Sequence, residues 1–342
     1  MEEKYYVGFI LKKVKVMSEN IIETRNIKVV FSVRKGLLKR IKFAAVDNVS
    51  ISIPKGSIVG LLGESGSGKT TLGKVTLALL KPASGEVLFQ GKNIFNMSKE
   101  EFKYYRLNAQ YIPQDPYASI HPFKTVKDVL TDIVMYHQLA KSYREAVEMA
   151  KDVMSKAGLN PPERFLNRYP FQLSGGERQR LSIARALILR PAYIVADEPV
   201  TMLDASLKSS TIKTLRDMVN AIGSSLLFIT HEITLLQFFG MKTRIGVMYL
   251  GKIVEEGYIK DVLENPMHPY TQALIAAIPI ADPKARETRR LILKSSIPSP
   301  LNRPSGCVLS DRCPYAMDIC RREEPILKEV KAYHKIACHL YN

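Results

Sequence analysis

Four short apolar runs in this chain each stop abruptly at glycine or a polar residue. Ile58-Val59-Gly60-Leu61-Leu62 stops at Gly63, and Ala109-Gln110-Tyr111-Ile112-Pro113 at Gln114; Tyr193-Ile194-Val195-Ala196 stops at Asp197, and Leu226-Leu227-Phe228-Ile229-Thr230 at His231. Apolar runs of this length predict strands buried on both faces, as in a parallel sheet. Open α/β sheets bind ligands at the carboxyl ends of their strands, so one shared sheet would bring these four end residues to one ligand. Ahead of them, Ile21–Phe31 and Ala44–Ile53 are rich in branched residues and predict a hairpin or meander around a basic loop. Pro54-Lys55-Gly56 and Lys81–Gly85 predict turns, and Glu86–Gln90 a short strand. Asp115-Pro116 stops regular structure. From Val126 to about Gly158 the spacing predicts helix, with Val126, Val129, Leu130, Ile133 and Val134 on one face, until Pro161-Pro162 breaks it. Another helix, with Leu181, Ala184, Leu187 and Ile188 on one side, follows Ser174 as its N-cap.

The first of these strands leads into Gly63-Glu64-Ser65-Gly66-Ser67-Gly68-Lys69-Thr70, and Thr71 continues into a helix. This is the G-x-x-x-x-G-K-T pattern of a phosphate-binding loop. Glycines let the backbone bend and approach an anion closely, and the loop amides and helix N-terminus then face the phosphates. Lys69 supplies a cation to the β and γ oxygens, and Thr70 a hydroxyl to Mg²⁺. The ligand is therefore ATP or GTP. Asp197 fits a carboxylate that orients Mg²⁺, and Glu198 one that polarises an attacking water. His231 fits a partner of the γ-phosphate or of that water, and the Gln114 amide oxygen reaches Mg²⁺ and the water.

Composition narrows the class only a little. The 342 residues are 46% hydrophobic, enough for one large α/β domain with an extension. No apolar run approaches the roughly 18–20 residues that span a bilayer. Val7 to Leu11, among lysines, is too short for a secretory signal, and Met17 is an alternative start that would make residues 1–16 a dispensable arm. The net charge of +17, with Arg34, Lys35, Lys39, Arg40 and Lys42 close together, suits an anionic partner and keeps nucleic acid under consideration.

Leu173-Ser174-Gly175-Gly176-Glu177-Arg178-Gln179-Arg180 is the most specific motif, and through it the chain resembles the ATP-binding-cassette ATPases. The resemblance implies a P-loop ATPase with a RecA-like α/β core, an antiparallel β subdomain and a helical subdomain at about 115–172, the whole spanning 21–262. It also implies that Ser174, Gly175, Gly176 and Glu177 face ATP held by a second ATPase subunit, as does Asp204, so that the working unit is a dimer. Thr201-Met202 departs from the family's usual Ser-Ala. The adenine-stacking aromatic is Phe31, with Phe43 as its rival. Asn265–Leu274, with His268-Pro269-Tyr270, and Pro298-Ser299-Pro300, Pro304-Ser305-Gly306-Cys307 and Arg312-Cys313-Pro314 resemble the oligopeptide/dipeptide importer subfamily. That resemblance implies a C-terminal extension over 263–342, two membrane-spanning permease partners, an extracellular solute-binding protein acting indirectly, and a peripheral place on the cytoplasmic face of the membrane. Members import peptides, nickel or oligosaccharides. A soluble ATPase acting on nucleic acid is the competing class, although the single cassette and the His-Pro-Tyr tail favour the importer. Tyr117, Ile120, His121, Pro122 and Phe123 are the expected apolar surface for the permease.

All four cysteines, Cys307, Cys313, Cys320 and Cys338, lie in this tail. Three readings stay open. They hold a [4Fe–4S] cluster, as in some members of the subfamily; they hold structural zinc, despite lacking the usual short C-x₂₋₄-C pairs; or they are free or disulfide-bonded thiols, disulfides being rare in a cytosolic ATPase. The tail is weakly patterned, so a cluster is the expected constraint on its fold, and losing one cysteine is expected to loosen the tail while sparing ATP binding.

Overall fold

The computed structural model describes residues 18–35, 39–278, 293 and 298–341; the arm at 1–16 and Met17 lie outside them. In chain order come β1 (Asn20–Lys35), β2 (Lys39–Val49), β3 (Ser52–Pro54), β4 (Ile58–Leu62), α1 (Lys69–Thr76), β5 (Ser84–Phe89), β6 (Lys92–Asn93), α2 (Lys99–Asn108) and β7 (Ala109–Ile112). A helical stretch follows: α3 (Val126–Tyr136), α4 (Tyr143–Lys156), α5 (Glu163–Leu166) and α6 (Gly175–Leu187). Then come β8 (Tyr193–Asp197), α7 (Ala205–Ala221), β9 (Ser225–Thr230), α8 (Ile233–Leu236), β10 (Arg244–Tyr249), β11 (Lys252–Tyr258), α9 (Ile259–Glu264) and α10 (Pro269–Ala276). The strands β12 (Lys328–Lys331) and β13 (His334–Ile336) close the described chain.

The four apolar runs share one sheet, as their pattern predicts. Its order is β12-β13-β11-β10-β4-β9-β8-β7, and β10, β4, β9, β8 and β7 run parallel. Side chains alternate between faces along a strand, and here each face has its own core. Leu62, Ile194, Ala196, Leu226 and Phe228 join the helices on one side. Val59, Leu61, Tyr193, Val195, Leu227 and Ile229 join β1, β3, β5 and α1 on the other. Burial on both faces is why these strands read as continuous apolar runs.

Three expectations change. The basic segment is no loop: β1 and β2 pair through Ser32 with Lys42, Val33 with Ile41 and Arg34 with Arg40, a ribbon whose charged side chains need no burial. Residues 126–158 form two helices. Gln138 adopts a positive φ of 54° at the break, and the Ser142 hydroxyl accepts the Glu145 N–H to start α4. Finally, the tail is not a weakly packed appendage. β13 pairs with β11, and Cys307, Val308, Leu309, Cys313 and Cys320 pack into the larger core. The expected boundary at 262/263 falls inside α9. Behind it, the buried Glu255 carboxylate accepts the Met267 N–H (2.9 Å) and the His268 N–H (3.1 Å) and lies 2.7 Å from His334 Nε2, tying β11, the start of α10 and β13 into one knot.

Candidate functional site

The loop after β4 is shaped by close backbone approach. A Cβ on Gly63 would lie 2.1 Å from the Met248 carbonyl oxygen, and one on Gly68 would lie 2.3 Å from that of Ala45. Only glycine fits at either position. The buried Lys69 ammonium donates to the carbonyls of Gly63 (2.6 Å) and Glu64 (2.8 Å). Its third and longest bond, to the Ser67 hydroxyl at 3.5 Å, is the one an anion would replace. Burial lowers the Lys69 pKa, and the nearby Glu198, Asp197 and Glu64 carboxylates oppose that shift.

Asp197 ends β8. Its carboxylate accepts the Thr70 hydroxyl (2.9 Å) on one oxygen and the Tyr111 hydroxyl (2.9 Å) on the other. Burial raises its pKa, against the pull of the two hydroxyls. Thr70 and Asp197 together present a hydroxyl and a carboxylate, the hard oxygen donors that suit Mg²⁺. Glu198 follows at φ 45°, a left-handed conformation rare for a side-chain-bearing residue, and its N–H is held by the Ile229 carbonyl at 2.9 Å. One carboxylate oxygen of Glu198 accepts the Gln114 amide (3.3 Å) and the Thr201 hydroxyl (3.2 Å) and lies 3.1 Å from His231 Nδ1. The other lies 3.9 Å from Lys69 Nζ. The ends of the four strands thus meet as the sequence pattern predicts.

Other expected site residues are placed differently. The Glu64 N–H donates to the Tyr270 hydroxyl (2.8 Å) and its carboxylate accepts from Arg312 (3.2 Å), so Glu64 faces the tail rather than a phosphate. Glu177 closes a capping box: its carboxylate accepts the Ser174 N–H at 2.8 Å, while the Ser174 hydroxyl accepts the Glu177 N–H. Among the described residues, no hydrogen bond or ion pair joins Ser174–Glu177 to the phosphate loop. A Cβ on Gly175 would meet nothing within 4 Å, so this helix start is open on the outside. Asp204 caps the start of α7 without a side-chain bond. Phe31 and Phe43 pair across β1 and β2 with ring centres 6.0 Å apart and planes tilted by 47°. Ile120 is buried, whereas Tyr117 and Phe123 are exposed, the latter at 79%. Pattern reading passed over Tyr111, Thr201, Tyr270 and Arg312; tyrosines in particular look like ordinary apolar positions.

Residues 46–201 match the family described as ABC transporter, and residues 254–320 match the oligopeptide/dipeptide transporter C-terminal region. The oligopeptide transport ATP-binding protein AppF of Bacillus subtilis is 41% identical over 328 residues, covering 95% of this chain and 98% of its own. A putative peptide import ATP-binding protein of Brucella ovis is 44% identical over 293 residues, covering 86% of this chain and 90% of that relative. Among solved structures, the dimeric ATP-binding cassette MJ0796 bound to ADP and Pi has a TM-score of 0.61 at 28% identity, covering 70% of this chain and 98% of the cassette. The chain belongs to the ATP-binding subunits of the ABC transporter family. It is an ATPase, with a C-terminal region of the oligopeptide/dipeptide transporter type.

Proposed function

We propose that this chain hydrolyses ATP to drive a peptide importer, working as one of two cassettes beneath two membrane-spanning permease subunits, with an extracellular solute-binding protein delivering the cargo. The observation that carries the reading is a complete phosphate-and-carboxylate site in one chain with the peptide-transporter tail. Its place is peripheral, on the cytoplasmic face of the membrane; no helix among the described residues is long and apolar enough to cross a bilayer. The relatives give no support to the nucleic-acid reading of the +17 charge.

In this reading Gly63, Ser65, Gly66, Ser67, Gly68 and Thr71 cradle the phosphates through loop and helix amides, and Lys69 neutralises the β and γ oxygens. Thr70 and Asp197 would hold Mg²⁺, which would supply charge neutralisation to the phosphates. Glu198 accepts hydrogen bonds from Gln114 and Thr201 and stands beside His231, so its carboxylate is oriented to take a proton from water as it attacks the γ-phosphate. Ser174, Gly175, Gly176 and Asp204 act on ATP held by the partner cassette, using an open helix start whose dipole suits an anion. Phe31, with Phe43 paired beside it, takes the adenine.

The permease docks on the exposed aromatics around α6. Arg178 links the two halves of that surface: its guanidinium lies 3.7 Å from the Tyr117 ring centre and donates to the Pro170 carbonyl, beside the stacked Tyr169 and Phe171 rings. Phe123→Asp is expected to release the full chain from permease-containing membranes and to abolish peptide uptake, with unchanged thermal stability. Membrane retention with full uptake would remove this docking surface.

The tail cysteines are a candidate [4Fe–4S] site. Support comes from their number and from a small pocket that all four line, together with His268 and His339. Burial pushes the Cys307 thiol up to about 12 and the Cys338 thiol to about 11, so neither ionises at neutral pH without a bound cation. Among the described residues no group of three or more His, Cys, Asp or Glu side chains is placed to hold a single metal ion. Protein made without oxygen is expected to carry iron and sulfide. Stoichiometric zinc or metal-free protein would remove the cluster.

A further inference from the structure

We propose that Tyr270 and Arg312, both from the C-terminal region, are positioning residues that set the phosphate loop for ATP hydrolysis. Glu64, the first variable residue of that loop, is held at three points. Its N–H donates to the Tyr270 hydroxyl, its carboxylate accepts from Arg312, and its carbonyl accepts from Lys69. The last contact gives the other two their meaning. The Glu64 carbonyl is one of two that fix the Lys69 ammonium, so fixing Glu64 fixes the charge that meets the γ-phosphate.

The holders are themselves rigid. Tyr270 is fully buried, with its ring centre 4.5 Å from that of Tyr249. Arg312 is 6% exposed, donates to the Tyr249 hydroxyl at 3.2 Å, and lies 5.7 Å from the centre of that ring. Tyr249 ends β10, the strand that pairs with β4 immediately before the loop. Tyr270 is anchored from behind, because its N–H donates to His268 Nδ1 (3.1 Å), and the His268 N–H donates to the buried Glu255 carboxylate. A cation and a hydroxyl from the tail therefore converge on one loop residue through groups that cannot swing away.

Several loop amides share the hold on ground-state ATP, whereas the Lys69 charge matters most as charge develops on the transferring phosphoryl oxygens. Loosening Glu64 should therefore act on kcat more than on KM. This inference rests on the ATPase reading above, and the experiment separates the two. In the full chain assembled with its permease partners, Arg312→Met and Tyr270→Phe are each expected to lower kcat for ATP hydrolysis about 10- to 100-fold, with KM for ATP moving less than about threefold. Arg312→Lys keeps the cation and is expected to restore kcat to within about threefold of the parent chain. Glu64→Leu removes the acceptor and should reproduce Arg312→Met, and the double variant should be no slower than either alone, because the two residues form one contact. Rates are counted per titrated nucleotide site, so misfolded protein drops out of kcat. Parental kcat per site in both Arg312→Met and Tyr270→Phe would overturn the proposal, as would multiplying effects of Arg312→Met and Glu64→Leu. Undiminished turnover in Lys69→Ala would instead overturn the ATPase assignment of the loop.

Discussion

Glu198→Gln is expected to keep ATP bound and to slow its hydrolysis by about 100- to 10,000-fold, the usual contribution of a positioned general base. Glutamine preserves the size of the side chain and can still accept from Gln114 and Thr201, so the strained φ of 45° and its surroundings should survive. What disappears is the proton acceptor. ATP should therefore accumulate unhydrolysed between paired cassettes, visible as a stable dimer by size-exclusion chromatography with light scattering. Turnover within a few-fold of the parent would transfer the base role to His231, whose Nδ1 stands 3.1 Å from the same carboxylate.

Lys69→Ala is expected to bring hydrolysis to background and to weaken ATP binding by about 10- to 100-fold, since a charged hydrogen bond is worth about 1.5–3 kcal/mol. Two further losses act in the same direction. The carbonyls of Gly63 and Glu64 lose the donor that organises them, and Glu198 and Asp197 lose their buried counter-charge. Nucleotide titration by calorimetry and steady-state phosphate release measure the two effects separately. Unchanged affinity together with normal turnover would dismiss the loop as the site.

The strand ends were legible for a physical reason. A strand buried on both faces must be apolar along its length, so the residue where the run stops marks the sheet edge where ligands sit. Gln114, Asp197, Glu198 and His231 could thus be assigned to one site from spacing alone. Contacts across the fold leave no such mark. Arg312 stands 248 residues from Glu64, and Tyr111 stands 86 from Asp197; a single arginine or tyrosine carries no periodicity that points to its partner. The tail was misread for a related reason. Its strands are only four and three residues long, too short for an alternating pattern, and its core contribution comes through Cys307, Val308, Leu309 and Cys313, which lie in irregular turns, and Cys320, in a five-residue helix (Asp318–Arg322). Arg312 adjoins Cys313 and reaches Glu64, so the cysteine tail and the phosphate loop are neighbours through one arginine.

The pairing of β13 with β11 bears on how this protein can be cut. A shortened chain ending near residue 264 would have the outline of a free-standing cassette, yet it would leave β11 paired with β10 alone and uncover its outer edge at Glu255 and Glu256. Exposed strand edges of this kind recruit other chains. The same cut would remove His334 and the two N–H donors at 267 and 268, stranding the Glu255 carboxylate in the interior without its partners. Truncation would therefore yield insoluble material rather than a minimal enzyme.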